Sequence, residues 1–170
     1  MSLQDKSEPQ PPEGRKLIDI AEARNRFAPD MYRELAAGTG NFFFSPWSLS
    51  YALAMTYEGA RGKTKEEMSS VLHFSANEAA IRRSFSLIDN KINAHDSGYS
   101  LHAANALWVE KRFKLEDEYA DLIQQSYHAH AKNLDFILAG EKSRKTINAW
   151  VEEKTLGKIK ELIPLEQSMS

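Results

Sequence analysis

A chain of 170 residues, 42% hydrophobic and 27% charged, is long enough for one globular domain or a share of a larger one. With 22 basic and 24 acidic residues interspersed to a formal net charge of −2, it carries no footprint for nucleic acid, an anionic membrane surface or a polyanionic substrate. The lack of cysteine excludes disulfide scaffolds, thiolate zinc sites and cysteine nucleophiles, and suits an extracellular chain as well as a cytoplasmic one.

The opening "MSLQDKSEPQPPEGRK" has three prolines and alternating charges without the apolar stretch of a secretory signal, so residues 1–14 read as a disordered lead-in. From Lys16 to Ala37, Leu17, Ile20, Phe27, Met31 and Leu35 recur mostly at three- and four-residue steps, which predicts a helix with one buried stripe, with Pro29 as a candidate bend. Gly38 and Gly40 stop it. Phe42, Phe43 and Phe44 form an apolar run too short for a helix and read as a buried strand.

Ser45-Pro46 is helix-start chemistry: the hydroxyl can accept from an orphan backbone N–H, and proline at the first helical position lacks only an N–H that would be unpaired. The stretch Asn41 to Tyr57 has no charged residue. From Pro46 to Glu58 every face is apolar or small, which predicts a helix buried all round. This stretch falls short of the roughly 20 residues needed to cross a bilayer and contains Pro46, so no transmembrane helix is predicted. After Gly59 and Gly62, Thr64 and Glu67 have capping-box spacing for a helix that uses Met68, Val71 and Leu72 as one face.

A further helix is predicted from Glu78 to about His95 on the stripe Ile81, Phe85, Ile88 and Ile92. "YSLHAANALWV", Tyr99 to Val109, reads as a strand. Leu115 to Tyr127 reads as a short helix with Glu116, Asp117 and Glu118 at its start, followed by a strand over Ala129 to Phe136. Glu141 to Leu156 has a narrow stripe of Ile147, Trp150 and Val151 with charge elsewhere, the pattern of a surface helix closed by Gly157. The chain is therefore mixed helix and strand, with no internal repeat.

Candidate chemistry has a plain structural reading in each case. Glu116, Asp117, Glu118 and Asp121 supply acids for general acid/base work, but acids at a helix start are favoured by the macrodipole alone. His128 and His130, alternating on a predicted strand, are candidates to share a metal with Asp135, though no third ligand has motif spacing. Ser45, Ser48 and Ser50 are near His73 only in sequence, and no G-x-S-x-G elbow or phosphate-cradling glycine loop occurs. Arg82, Arg83 and Lys91 do not form a stripe, since Arg82 and Lys91 stand about 180° apart on a helix. Phe42 to Phe44 has no interleaved basic residues, as a platform for stacking bases would. No enzyme, cofactor or metal site is indicated.

"NFFFSPWSLSYALAM" followed by "EGARGKTKEEM" closely resembles the strand-to-helix signature of the serpins, protease inhibitors of the suicide-substrate type. In that stretch Asn41, Phe44, Ser45, Pro46 and Ser48, then Gly59, Ala60, Gly62 and Thr64, match the family motif. The resemblance continues in order. Asn105, Leu107 and Trp108 in "ANALWVEKRFKL" and Phe136 in "AKNLDF" match it too, as do Ile147, Asn148, Trp150 and Val151 in "INAWVEEKT". Thr155, Gly157, Lys158 and Ile159 in "TLGKIKELI" complete the set, so the coverage runs from about Lys16 to Ser170. Trp47 departs from the pattern, standing where smaller residues are usual.

The resemblance implies an α+β, helix-rich amino-terminal part of a serpin, with a buried central helix and strands of the large central sheet. Residues 15–170 would form the amino-terminal portion of a single serpin domain. Serpins trap serine, sometimes cysteine, proteases: a bait loop is cleaved and inserts into the central sheet as an extra strand, a conformational change that distorts the acylated protease. By this carry-over Ser45, Pro46 and Ser48 belong to the shutter, where sheet strands part above the buried helix. Tyr99 to Val109 and Ala129 to Phe136 would be neighbouring central strands, with Glu141 to Leu156 lying across the sheet.

The same resemblance makes the chain incomplete relative to a full serpin, because the remaining central strands, the hinge and the bait loop lie beyond "IPLEQSMS". The expected partners are a serine protease for the complete protein and a carboxy-terminal serpin portion to complete the fold, with neither nucleic acid nor membrane. The 170 residues alone are expected not to inhibit. The alternative is a non-inhibitory binding or structural module on the same scaffold. Family resemblance points to action outside cells, and a cytoplasmic location stays open.

Overall fold

The computed structural model describes residues 13–38, 40–93 and 103–165, with side chains from Ile20 onward. Six helices and two strands follow one another: α1 (Glu13–Leu35), α2 (Pro46–Gly59), α3 (Gly62–Leu72), α4 (Glu78–Asn93), β1 (Ala106–Glu110), α5 (Asp117–Tyr127), β2 (His130–Leu134) and α6 (Gly140–Lys154). The chain divides into two compact units between Ser84 and Phe85, a boundary that falls within α4.

In the first unit, α1 presents Ile20, Ala23 and Phe27 at helical spacing to a core that also takes Tyr51, Ala54 and Met55 from α2 and Leu72 from α3. α1 runs without a break through Pro29 and begins at Glu13, inside the stretch read as lead-in. Residues 1–12 and the side chain of Leu17 lie outside the described residues. Leu35, assigned to the buried stripe, is exposed because it is the last residue of its helix, past the reach of α2 and α3.

Three expectations fail in this unit. Phe42 to Phe44 forms no strand, and Phe43 is 96% exposed. A strand exists only through pairing, and no neighbouring segment among the described residues supplies the ladder. Second, α2 is buried on one side only: Ser50, Tyr51, Ala54, Met55, Tyr57 and Glu58 face inward, while Ser48, Ala52 and Thr56, four residues apart, form an exposed strip of small side chains. Third, α3 starts before the predicted capping box. Its N-cap is Arg61, without a side-chain cap bond, so Thr64 lies inside the helix, and Val71 is exposed beside buried Leu72.

In the second unit, β1 and β2 form a parallel pair in the register Ala106↔His130, Trp108↔Lys132 and Glu110↔Leu134. Parallel strands need a crossover, and α5 provides it. α5 ends at His128 in the left-handed conformation, its amide bonded to the Ile123 carbonyl, so that β2 starts two residues later. Phe85, Ile123, Tyr127 and Ala129 are buried, as are Ile147 and Val151 of α6. The strand predicted from Tyr99 begins at Ala106; Tyr99 to His102 lie outside the described residues. Among the described residues, no helix is long and apolar enough to cross a membrane.

Candidate functional site

Two constellations contain most of the motif positions. The first opens α2. Ser45 sits in extended backbone (φ −108°, ψ 105°) and its Oγ accepts from the Ser48 amide at 3.2 Å, while the Ser48 hydroxyl donates to the same oxygen at 3.0 Å. Pro46 takes the first helical position, where its missing N–H costs nothing. The Ser50 hydroxyl turns back to the Trp47 carbonyl at 3.0 Å. The Arg24 guanidinium lies 4.6 Å from the centroid of the Trp47 ring. Burial pulls that guanidinium below its ordinary pKa, and its Nε has no hydrogen-bond partner among the described residues. Ahead of the cap, Phe42 and Phe44 stack at 5.9 Å, Phe42 also meets Tyr32, and Asn41 is exposed.

At the far end of α2, the Glu58 side chain is fully buried and held by the fork of Arg82: Nε to Oε1 at 3.0 Å and Nη2 to Oε2 at 2.7 Å. Arg82 also reaches Glu78, which Lys65 engages from α3, and hydrogen bonding to Lys65 is the main cause that lowers the Glu78 pKa. A buried carboxylate needs such a fork. Arg82 is therefore internal glue. Gly59 ends the helix, Ala60 caps it by donating to the Tyr57 carbonyl, and Gly62 takes a positive φ of 56° where a side chain would be strained.

The second constellation surrounds α6. Asn148 works as a strand mimic: its Oδ1 accepts from the amides of Leu162 (3.1 Å) and Ile163 (2.9 Å), and its Nδ2 donates to the Ile163 carbonyl at 2.8 Å. Arg144 adds bonds to the same carbonyl and to Glu161 and Glu141. Its guanidinium holds the Glu141 carboxyl down at a pKa of about 2. Thr155 donates to the Val151 carbonyl and accepts from the Ile159 amide, and Gly157, at φ 73°, returns its own amide to Glu152. Lys158 and Ile159 are exposed. Residues 159–163 are thus strapped to α6. On the strands, the Asn105 carbonyl accepts from the His130 amide, Leu107 pairs with Ala131, and Trp108 meets Trp150 edge-on at 5.7 Å. The Phe136 amide donates to Glu110.

The weaker candidates are dispersed. His128 is not on the strand with His130, because it occupies the left-handed cap of α5, where its Nδ1 bonds Asp89 at 3.0 Å. Asp135 is bound to Lys111 instead. Among the described residues no set of three potential ligands gathers around a metal position. Ser45 and Ser48 bond each other, and His73 pairs with Asp30 at 2.7 Å, a bond that is the first cause of the lowered Asp30 pKa. Asp117 and Glu118 sit in the first turn of α5 and Glu116 is its N-cap, as the macrodipole favours. The Arg144 strap and the Glu58–Arg82 fork were not legible beforehand; the one clue was Glu58 as the first charge after the uncharged stretch.

A helix-rich α+β chain with a parallel strand pair, a helix against it and a serine-capped helix elsewhere is the arrangement that comparisons with known proteins single out. A family model described as "Serpin (serine protease inhibitor)" matches residues 22–169. An "Uncharacterized serpin-like protein" of Methanosarcina acetivorans is 45% identical over 150 residues, 86% of this chain and 35% of its own. The "Leukocyte elastase inhibitor" of Bos taurus is 42% identical over 149 residues, covering 86% of this chain and 39% of that protein. The crystal structure of Serpin48 from the insect Tenebrio molitor superposes with a TM-score of 0.76 at 33% identity, over 86% of this chain and 40% of that one. The chain belongs to the serpin family. It spans roughly 35–40% of the length of these relatives.

Proposed function

We propose that these residues are the amino-terminal scaffold of a serpin that inhibits a serine-type endopeptidase by loop insertion, and that they need a carboxy-terminal portion carrying the bait loop. The observation that carries this reading is the family match over nearly all of the chain, with a relative named as an elastase inhibitor of which the chain covers 39%. In this reading Ser45 and Ser48 are shutter residues, and the exposed strip Ser48–Ala52–Thr56 is the floor on which further central strands would lie. Small side chains suit that role, since they let a backbone approach and slide. α6, with its strap at 159–163, is the element that would re-dock as a strand enters.

A chimaera tests this: residues 15–165 joined to the carboxy-terminal portion of the bovine leukocyte elastase inhibitor, incubated with elastase-, chymotrypsin- and trypsin-like proteases. A covalent complex that survives a denaturing gel is expected from the chimaera and not from the 170-residue chain. A complex formed by the short chain alone would refute the scaffold reading. A folded chimaera that is cut without trapping would favour the non-inhibitory alternative.

A further inference from the structure

Where α6 meets the strand pair, three rings come together. His130 of β2 meets Trp108 of β1 at 5.1 Å with an interplanar angle of 60°, and stacks on Trp150 of α6 at 6.1 Å and 25°. Trp108 and Trp150 close the triangle. The ring that joins the two indoles is thus the one in the cluster that can gain a proton near neutrality.

Its surroundings disfavour the charge. His130 stands at the surface as a residue, but the partial burial of its ring is the largest cause that lowers its pKa, followed by the ammonium groups of Lys132 on β2 and Lys154 on α6. The other groups near it do not offset this. Across the pair stand Ala106 and Trp108, and Glu110 of β1 is taken up by Arg112 and the Phe136 amide. α5 offers the uncharged Gln124, and beyond it His128 is bonded to Asp89. Lys154 pairs with its neighbour Glu153. An indole face attracts a cation: Trp108, at 5.1 Å, lies inside the roughly 6 Å reach of that effect and Trp150 at its limit, an attraction that opposes the burial without reversing it. A cavity of about 720 Å³, lined among others by Asn105, Gln124, Trp150 and Lys154, opens beside the ring and gives it access to water.

We propose that Trp108, His130 and Trp150 form a proton-operated clasp, which holds α6 on the strand pair while His130 is neutral and loosens it once the ring is charged. The sign follows from linkage. A histidine whose pKa is lowered in the docked state contributes its full stabilisation above its ordinary pKa, about 6.5. That stabilisation is lost as pH falls from there through the lowered value. The inference rests on geometry within the second unit and stands whether or not the chain serves an inhibitor.

The test is hydrogen exchange of the 170-residue chain between pH 8 and pH 5, with exchange rates corrected for pH, beside an NMR titration of His130. Expected are a His130 midpoint below the ordinary value and a several-fold loss of protection in α6 amides with that same midpoint. His130→Phe, which keeps a ring but cannot charge, should abolish the loss. If that variant does not fold, Lys154→Gln serves instead and should move the midpoint upward. Protection in α6 that is flat across the range, a midpoint at or above the ordinary one, or an unaltered transition in the variants would overturn the clasp.

Discussion

Ser45 and Ser48 share one hydrogen-bonded cap but do not carry equal weight. The Ser45 oxygen satisfies an orphan helix N–H, whereas the Ser48 hydroxyl adds only a bond to that oxygen from an exposed position. Ser45→Ala should therefore cost about 1 kcal/mol of unfolding free energy, and Ser48→Ala within about 0.5 kcal/mol, as for exposed positions generally. Urea denaturation of the two variants checks the order, and equal losses would contradict it. A larger effect is expected at Glu58. Its side chain is fully buried, so Arg82→Ala removes the two-pronged partner of an ion that water cannot reach. The expected cost is about 3–5 kcal/mol, largely recovered when Glu58→Gln is added, because a neutral amide tolerates the lost fork. The cap was legible from "SP" alone, as local chemistry. The fork was not, since it joins residues 24 apart in sequence and no periodicity encodes which carboxylate meets which guanidinium.

Among the elements, those with a strong three- and four-residue repeat, α4, α5 and α6, lie within a few residues of where their stripes place them. Their burial is a property of one face and so is written in the sequence. The Phe42–Phe44 segment and the outer face of α2 lack that property. Pairing and burial there depend on what lies alongside, and apolar composition cannot say whether a neighbour is present. α6 shows a further layer that its thin stripe hides: polar side chains fasten the following segment to it. Asn148→Ala removes three bonds to Leu162 and Ile163, which at about 1 kcal/mol each predicts a marked loss of protection at those two amides. Asn148→Asp, which keeps the acceptor, should retain part of it. The Arg144 arm of the strap should also weaken in acid. Glu141 is depressed to about 2 by Arg144, so its contribution is whole above the ordinary glutamate pKa of about 4.3 and disappears as pH falls toward 2. Hydrogen exchange at pH 5 and pH 3 reads both effects.

At the scale of the whole molecule, several large apolar side chains are open to water. Phe43 is 96% exposed, Leu138 82%, Leu156 70% and Phe113 68%, more large apolar groups than scattered surface leucines account for. The strand pair adds backbone to this. Each of its two strands has one pairing partner among the described residues, so each presents an outer edge of unpaired amides and carbonyls. A two-stranded sheet is also marginal without further strands or a helix packed on it, which makes the clasp and strap of α6 matter more than they would in a wide sheet. The expected outcome is concentration-dependent self-association of the 170-residue chain, together with binding of a dye that fluoresces on apolar surface. Phe43→Lys combined with Leu138→Lys should weaken both without altering helix content, because neither side chain contributes to a core. Joining the carboxy-terminal portion in the chimaera should suppress both far more strongly, since it would occupy strand edges as well as apolar patches. Sedimentation over a hundredfold concentration range measures the association. A monodisperse chain that ignores the dye at every concentration would mean that these surfaces satisfy one another, and that the fold is finished without a partner.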